Sequence, residues 1–173
     1  SYVYDLPVGP GQRYVNEGVM SHIIGGWQVG GILTLAYGTA IQGSSLGDTA
    51  GLGTLMNVPF VTGVSPIPQN RTSNNYWNAD AFDFSNPDLG WSVGNQGRNT
   101  LFTPGQRNFD ASLARIIRIR EGHSLNFRFE AFNAPNHPNW NTPPNDPRTK
   151  ATFGIVTSAK TMRQLQFALK YSF

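Results

Sequence analysis

Apolar and polar residues alternate with a period of two along much of this chain, and that pattern predicts strands. Over residues 27–37 the odd positions are Trp27, Val29, Gly31, Leu33, Leu35 and Tyr37, against Gln28, Gly30, Ile32, Thr34 and Ala36. Over 124–132, Leu125, Phe127, Phe129 and Ala131 are set against Asn126, Arg128 and Glu130. The final stretch sets Leu165, Phe167, Leu169, Tyr171 and Phe173 against Gln164, Gln166, Ala168, Lys170 and Ser172. Two more strands are predicted over 109–120, where Ile117 and Ile119 alternate with Arg118 and Arg120, and over 1–8. Pro7 cannot donate to a ladder, which suits residues 1–8 to a sheet edge or a strand end. Glu121-Gly122-His123 is a tight hairpin connection, so the strands on either side of it are antiparallel.

The connections are unequal. Within residues 9–26, Val19, Met20, Ile23 and Ile24 fit one or two turns of amphipathic helix ending at Gly25-Gly26. Residues 43–107 and 133–162 are long loop regions rich in Gly, Pro, Asn and Ser, with short β-prone pieces such as 57–61. Loops of such length are usually functional or serve a partner, and long loops at one end with tight turns at the other are the habit of outer-membrane barrels. The expected fold is all-β: one domain over 1–173, an antiparallel sheet of about five main strands in a barrel segment or a sandwich, long loops and one short helix.

Composition supports this. The 173 residues suit one domain, only 13% are charged, and 19 Gly and 12 Pro favour strands and loops over helices. An aromatic share of 12% supplies the apolar area that disordered chains lack. The net charge of +3 is spread along the chain without a basic stripe, which argues against a nucleic-acid partner. With no cysteine, disulfides, thiolate metal sites and cysteine nucleophiles are excluded together. No apolar run is long enough for a membrane helix, and residue 1 opens inside a strand-like run, so a removed leader or a piece of a longer chain is expected.

Six segments, SYVYDLPVGPGQRY, IIGGWQVGGILTLAYGTAI, YWNADAF, GNQGRNTLFTPGQRNFDASLARIIRI, LNFRFEAFNAPNHPNW and FGIVTSAKTMRQLQFALKYSF, cover most of the chain. In content and order they resemble the C-terminal barrel region of TonB-dependent outer-membrane receptors, the type with an N-terminal carboxypeptidase-regulatory-like domain. An amphipathic last strand ending in Phe173, with Tyr171 on the same face, resembles the signal read by outer-membrane assembly machinery. The departure is length: a barrel of about 22 strands needs roughly 220 residues in strands alone. Plug and most of the wall are absent from this sequence, so the resemblance does not carry transport with it.

Five strands leave two open edges, and exposed edges invite pairing. Two readings follow. In the first, the chain is a non-enzymatic, self-assembling subunit of a cell-surface or extracellular filament. Residues 1–8 would then act as a donor strand completing the sheet of a neighbouring copy, in a homo-oligomer or helical polymer. In the alternative, it is an incomplete C-terminal barrel segment of a TonB-dependent transporter in the bacterial outer membrane, whose partner is the rest of the barrel. Its aromatic face would then meet lipid, with Arg128, Glu130, Gln166 and Lys170 toward the lumen. In either case the candidate assembly residues are Tyr2, Val3, Tyr4, Leu6, Leu165, Phe167, Leu169, Tyr171 and Phe173, at the two edges. Trp27, Tyr37, Tyr171 and Phe173 are candidate aromatic girdle residues.

Chemistry-bearing residues point to no catalytic, cofactor or metal site. His22, His123 and His137 fall in the candidate helix, the tight turn and a Pro/Asn-rich loop, without ligand spacing. Asp80, Asp83, Asn86 and Asp88 are rich in oxygen but lack the calcium-loop glycine and terminal Glu, and fit Asx turns better. Ser44-Ser45, Asp48 and His22 are the residue types of a hydrolase triad without its G-x-S-x-G elbow. GGWQVGG and GPGQ lack the strand–loop–helix context of a phosphate cradle. Asn70-Arg71-Thr72 is a glycosylation sequon and implies an exposed loop.

Overall fold

The computed structural model describes residues 1–43, 47–48, 51, 53 and 58–173. In chain order its elements are β1 (Tyr2–Asp5), α1 (Gly18–Ile24), β2 (Trp27–Ala36), β3 (Ala40–Ile41), β4 (Phe60–Val61), β5 (Phe82–Asp83), β6 (Leu101–Phe102), β7 (Gln106–Arg120), β8 (His123–Phe132) and β9 (Gln164–Ser172). Two 3-10 turns lie at Ala79–Ala81 and Pro87–Gly90. The chain divides into two compact units, one of Ser1–Leu35, Arg107–Pro138 and Thr161–Phe173, the other of Ala36–Gln106 and Asn139–Lys160.

The first unit is an open antiparallel five-stranded sheet in the order β1-β2-β7-β8-β9. All five predicted strands are present, as is the short helix. β1 is the shortest of them, because the ladder gives out at Pro7: Leu6 N–H still donates to Trp27 O at 2.9 Å, and the next residue has no N–H to offer. β7 and β8 pair from Ala111↔Ala131 to Arg120↔His123, with an irregularity between Arg118 and Arg120. His123 is therefore the first residue of β8, leaving Glu121-Gly122 as the turn; His123 was expected inside the turn. β8 and β9 run in unbroken register from Phe132↔Gln164 to Ser124↔Ser172. At Gly31, opposite Tyr2, a Cβ would lie 2.6 Å from the Tyr2 ring, so only glycine lets that ring lie flat across β2.

The second unit is built from the two regions read as long loops. Besides the two-stranded pairs β3-β6 and β4-β5, it has a core of its own. Tyr76, Trp77, Ala81, Phe82, Leu101 and Phe153 are buried together, with Ile41, Phe84, Trp140 and Val156 packed against them. Phe153 meets both Trp77 (5.7 Å between centroids) and Phe82 (5.6 Å), and Tyr76 meets Trp140 edge-on at 6.0 Å. The Trp77 indole N–H donates to Phe102 O at 3.1 Å, so the polar end of the most buried ring is satisfied. Gly154 has φ +69 and lies where a Cβ would be 2.6 Å from the Trp77 backbone; this is where the segment carrying Phe153 closes on the core. Of the β-prone piece expected over 57–61, β4 supplies Phe60–Val61, and Asn57 lies outside the described residues.

Candidate functional surface

Register assigns each strand residue of the first unit to one of two faces. Directly opposed residues share a face, so Leu125, Phe127, Phe129 and Ala131 of β8 stand with Tyr171, Leu169, Phe167 and Leu165 of β9. On β7 the same face carries Ala111, Leu113, Arg115 and Ile117. The T-shaped contact of Trp27 with Phe127, 5.7 Å between centroids, brings Val29, Leu33 and Leu35 of β2 to this face, and pairing with β2 adds Tyr2 and Tyr4. The opposite face holds Ser112, Arg118, Ser124, Asn126, Arg128, Glu130, Gln166, Lys170 and Ser172. There Arg128 and Glu130 form an ion pair at 3.5 Å, and Gln28 donates to Asp5 at 2.9 Å. The sheet is divided into a mainly apolar side and a mainly polar side, with Val3, Ile32 and Ile116 on the second.

The apolar side is largely uncovered. Leu33 is 61% exposed, Phe167 69% and Leu169 67%. Each such side chain forgoes most of the about 1.5–3 kcal/mol that full burial would contribute. The cost is spread over the whole face, so the face implies an apolar neighbour.

Both edges are open as well. β1 and β9 each pair on one side only, and they carry the candidate assembly residues Tyr2, Val3, Tyr4, Leu165, Phe167, Leu169 and Tyr171, with Leu6 and Phe173 just beyond their ends. Tyr2, Tyr4, Leu165, Phe167, Leu169 and Tyr171 share the apolar face, whereas Val3 opposes Gly30 on the other. Aromatic residues gather at the strand ends: Tyr171 and Phe173 stack at 5.9 Å, Tyr171 is 2.6 Å from His123 Nδ1, Trp27 opens β2, and the fully exposed Tyr37 follows its last residue.

Polar residues interrupt the apolar side: His123 and Arg120, which oppose each other at its end, and within the strands Arg115, which the alternation drawn from residues 117–120 missed. Arg115 stands between Leu113 and Ile117, half-buried, with its guanidinium 5.5 Å from the centre of the Trp27 ring and donating to His22 O and Ile23 O at the end of α1. Its odd position in β7 was the available signal.

The remaining sequence candidates are occupied locally. Asp83 accepts from the Ser85 hydroxyl (2.7 Å) and N–H (2.8 Å), which hold its carboxyl below the ordinary value; Asn78 and Asn86 accept from the N–H groups of Asp80 and Asp88. Asp80 also pairs with Lys150 at 3.0 Å. Asn78, Asp83 and Asn86 thus make Asx turns, their side-chain oxygens committed to neighbouring backbone. Asp146 accepts from Arg148, which lowers the carboxyl and raises the guanidinium. His22 lies in α1, Asp48 accepts from Gly53 N–H, and Ser44-Ser45 lie outside the described residues. Asn133 brackets His137, accepting from its N–H and donating to its carbonyl. Asn70 is exposed. Among the described residues no three His, Cys, Asp or Glu converge as metal ligands.

A largely exposed apolar sheet side, a mainly polar side opposite and unpaired edges are what a stretch of membrane barrel wall presents. The family model described as an outer membrane beta barrel domain matches residues 1–166. The chain belongs to that family. No curated protein and no solved structure matches the chain. Membership of an outer-membrane barrel family supports the barrel-segment reading, and with it the bacterial outer membrane; it lends nothing to the extracellular filament. No helix among the described residues is long and apolar enough to cross a membrane, but barrels of this family cross with strands.

Proposed function

We propose that this outer-membrane barrel domain is part of the wall of a TonB-dependent receptor, a non-enzymatic element whose partners are the other strands of the same barrel. The observation that carries the proposal is the sheet itself: five antiparallel strands with one exposed apolar side, one hydrophilic side and two open edges. In a barrel the apolar side is solvated by lipid, the side bearing Arg128, Glu130 and Lys170 lines the interior, and β1 and β9 find neighbours that abolish the edges. The order of the six receptor-like segments favours the TonB-dependent type within the wider family.

The test is to express the full natural protein in its bacterium and follow it by membrane fractionation and by gel mobility with and without boiling. An outer-membrane protein whose unboiled form migrates apart from the boiled form is expected. Material recovered without detergent as regular filaments would overturn the reading, since in a filament the same edges pair copy to copy.

A further inference from the structure

The helix α1 turns most of its apolar residues outward, with the exposed His22 beside them. In water a seven-residue helix would turn Val19, Met20 and Ile23 inward and its polar residues outward. Here Ser21 is the buried residue, its hydroxyl satisfied by Gly18 O at 2.7 Å, while Val19, Met20 and Ile23 are 76%, 57% and 55% exposed. Val19 and Ile23 are four residues apart and Met20 lies on the same side, so the three form one outward apolar stripe with the exposed His22 at its margin. The helix is held from the apolar side of the sheet: Arg115 reaches from β7 across the Trp27 ring to the carbonyls of His22 and Ile23. Helix-end carbonyls carry negative partial charge and an aromatic face attracts a cation, so protein groups meet the Arg115 charge.

From these contacts we infer that α1 is an interfacial helix, lying in the bilayer against the outside of the wall, with Arg115 as the clamp that holds it there. Its occupant is lipid: Arg115 ties the helix to the sheet side that membership of an outer-membrane barrel family turns toward the bilayer. Val19, Met20 and Ile23 enter the acyl region at its boundary, and Arg115, otherwise a costly residue on a lipid-facing wall, has its charge covered by protein. This rests on the barrel-wall reading of the sheet.

The domain contains no cysteine, so single cysteines can carry a nitroxide at chosen points. The full natural protein, reconstituted in phospholipid vesicles, is labelled at Val19→Cys and separately at Leu33→Cys on the wall, and the collision rate of each label with oxygen is compared with that of a water-soluble nickel chelate. Both labels are expected to collide more with oxygen, the label at 19 at shallower depth, and Arg115→Met is expected to return the label at 19 to water while leaving that at 33 unchanged. A lipid-exposed label at 33 with a water-exposed label at 19 overturns the helix inference and leaves the wall intact. Water exposure at both positions overturns the wall reading and the inference with it. A label at 19 that stays in lipid in Arg115→Met overturns the clamp.

Discussion

The two units treat their aromatic residues in opposite ways. In the second, Trp77 is 1% and Phe82 4% exposed within a core assembled from short elements and turns; in the first, Phe167 and Tyr171 are 69% and 51% exposed on a long strand. The long strands here carry the exposed apolar rows, and the short elements and turns carry the core. Burial within the chain stabilises the second unit whatever its solvent. The first is complete only with an apolar medium on one side and neighbouring strands at its edges.

Changes that separate these two modes follow from the contacts. Trp77→Ala removes a fully buried ring and should destabilise the second unit by about 3–5 kcal/mol, read from denaturant midpoints and protease susceptibility. Phe167→Arg should cost about 2–4 kcal/mol in a bilayer if its strand crosses near the middle, whereas Gln166→Arg one position away should cost little, because it points to the polar side. The difference between those two, measured as folding yield in lipid vesicles, disappears if the sheet is wet on both sides. Gly154→Ala forces an L residue into the left-handed region, about 1–2 kcal/mol before the collision with Trp77 is counted, and the loss should show as early unfolding of the second unit alone. The smallest effect is expected at the exposed Asp146–Arg148 pair, where Asp146→Asn should change stability by no more than about 1 kcal/mol. The folded carboxyl of Asp146 titrates below its ordinary 3.8, chiefly through its hydrogen bond to Arg148. The pair's contribution is therefore complete above that value and fades as pH falls through the lowered one, a sign that acid titration of the variant against the parent checks.

Strands were legible because a period of two survives in any sheet with unlike faces: Leu125, Phe127 and Phe129 declare their side before any partner is known. Register then fixed which strands share that side. The core of the second unit was not legible, since Trp77 and Phe153 are far apart in sequence, on chain with no repeating period, and meet only through tertiary closure at Gly154. The helix position was legible from Val19, Met20, Ile23 and Ile24, but its orientation was not, because hydrophobic spacing shows that a stripe exists and not which solvent it meets. Arg115 could have been found by parity. It reads as an ordinary strand arginine until its partners at the end of α1 are seen.

The most direct test of the lipid-facing wall is cysteine scanning along β9, one position at a time from residue 165 to 171, in native outer membranes, with a water-soluble maleimide as the reporter. The account predicts alternation: protection at 165, 167, 169 and 171 and labelling at 166, 168 and 170 through an aqueous interior. Uniform labelling at all seven positions would contradict it, because a strand with water on both sides is not part of a membrane wall.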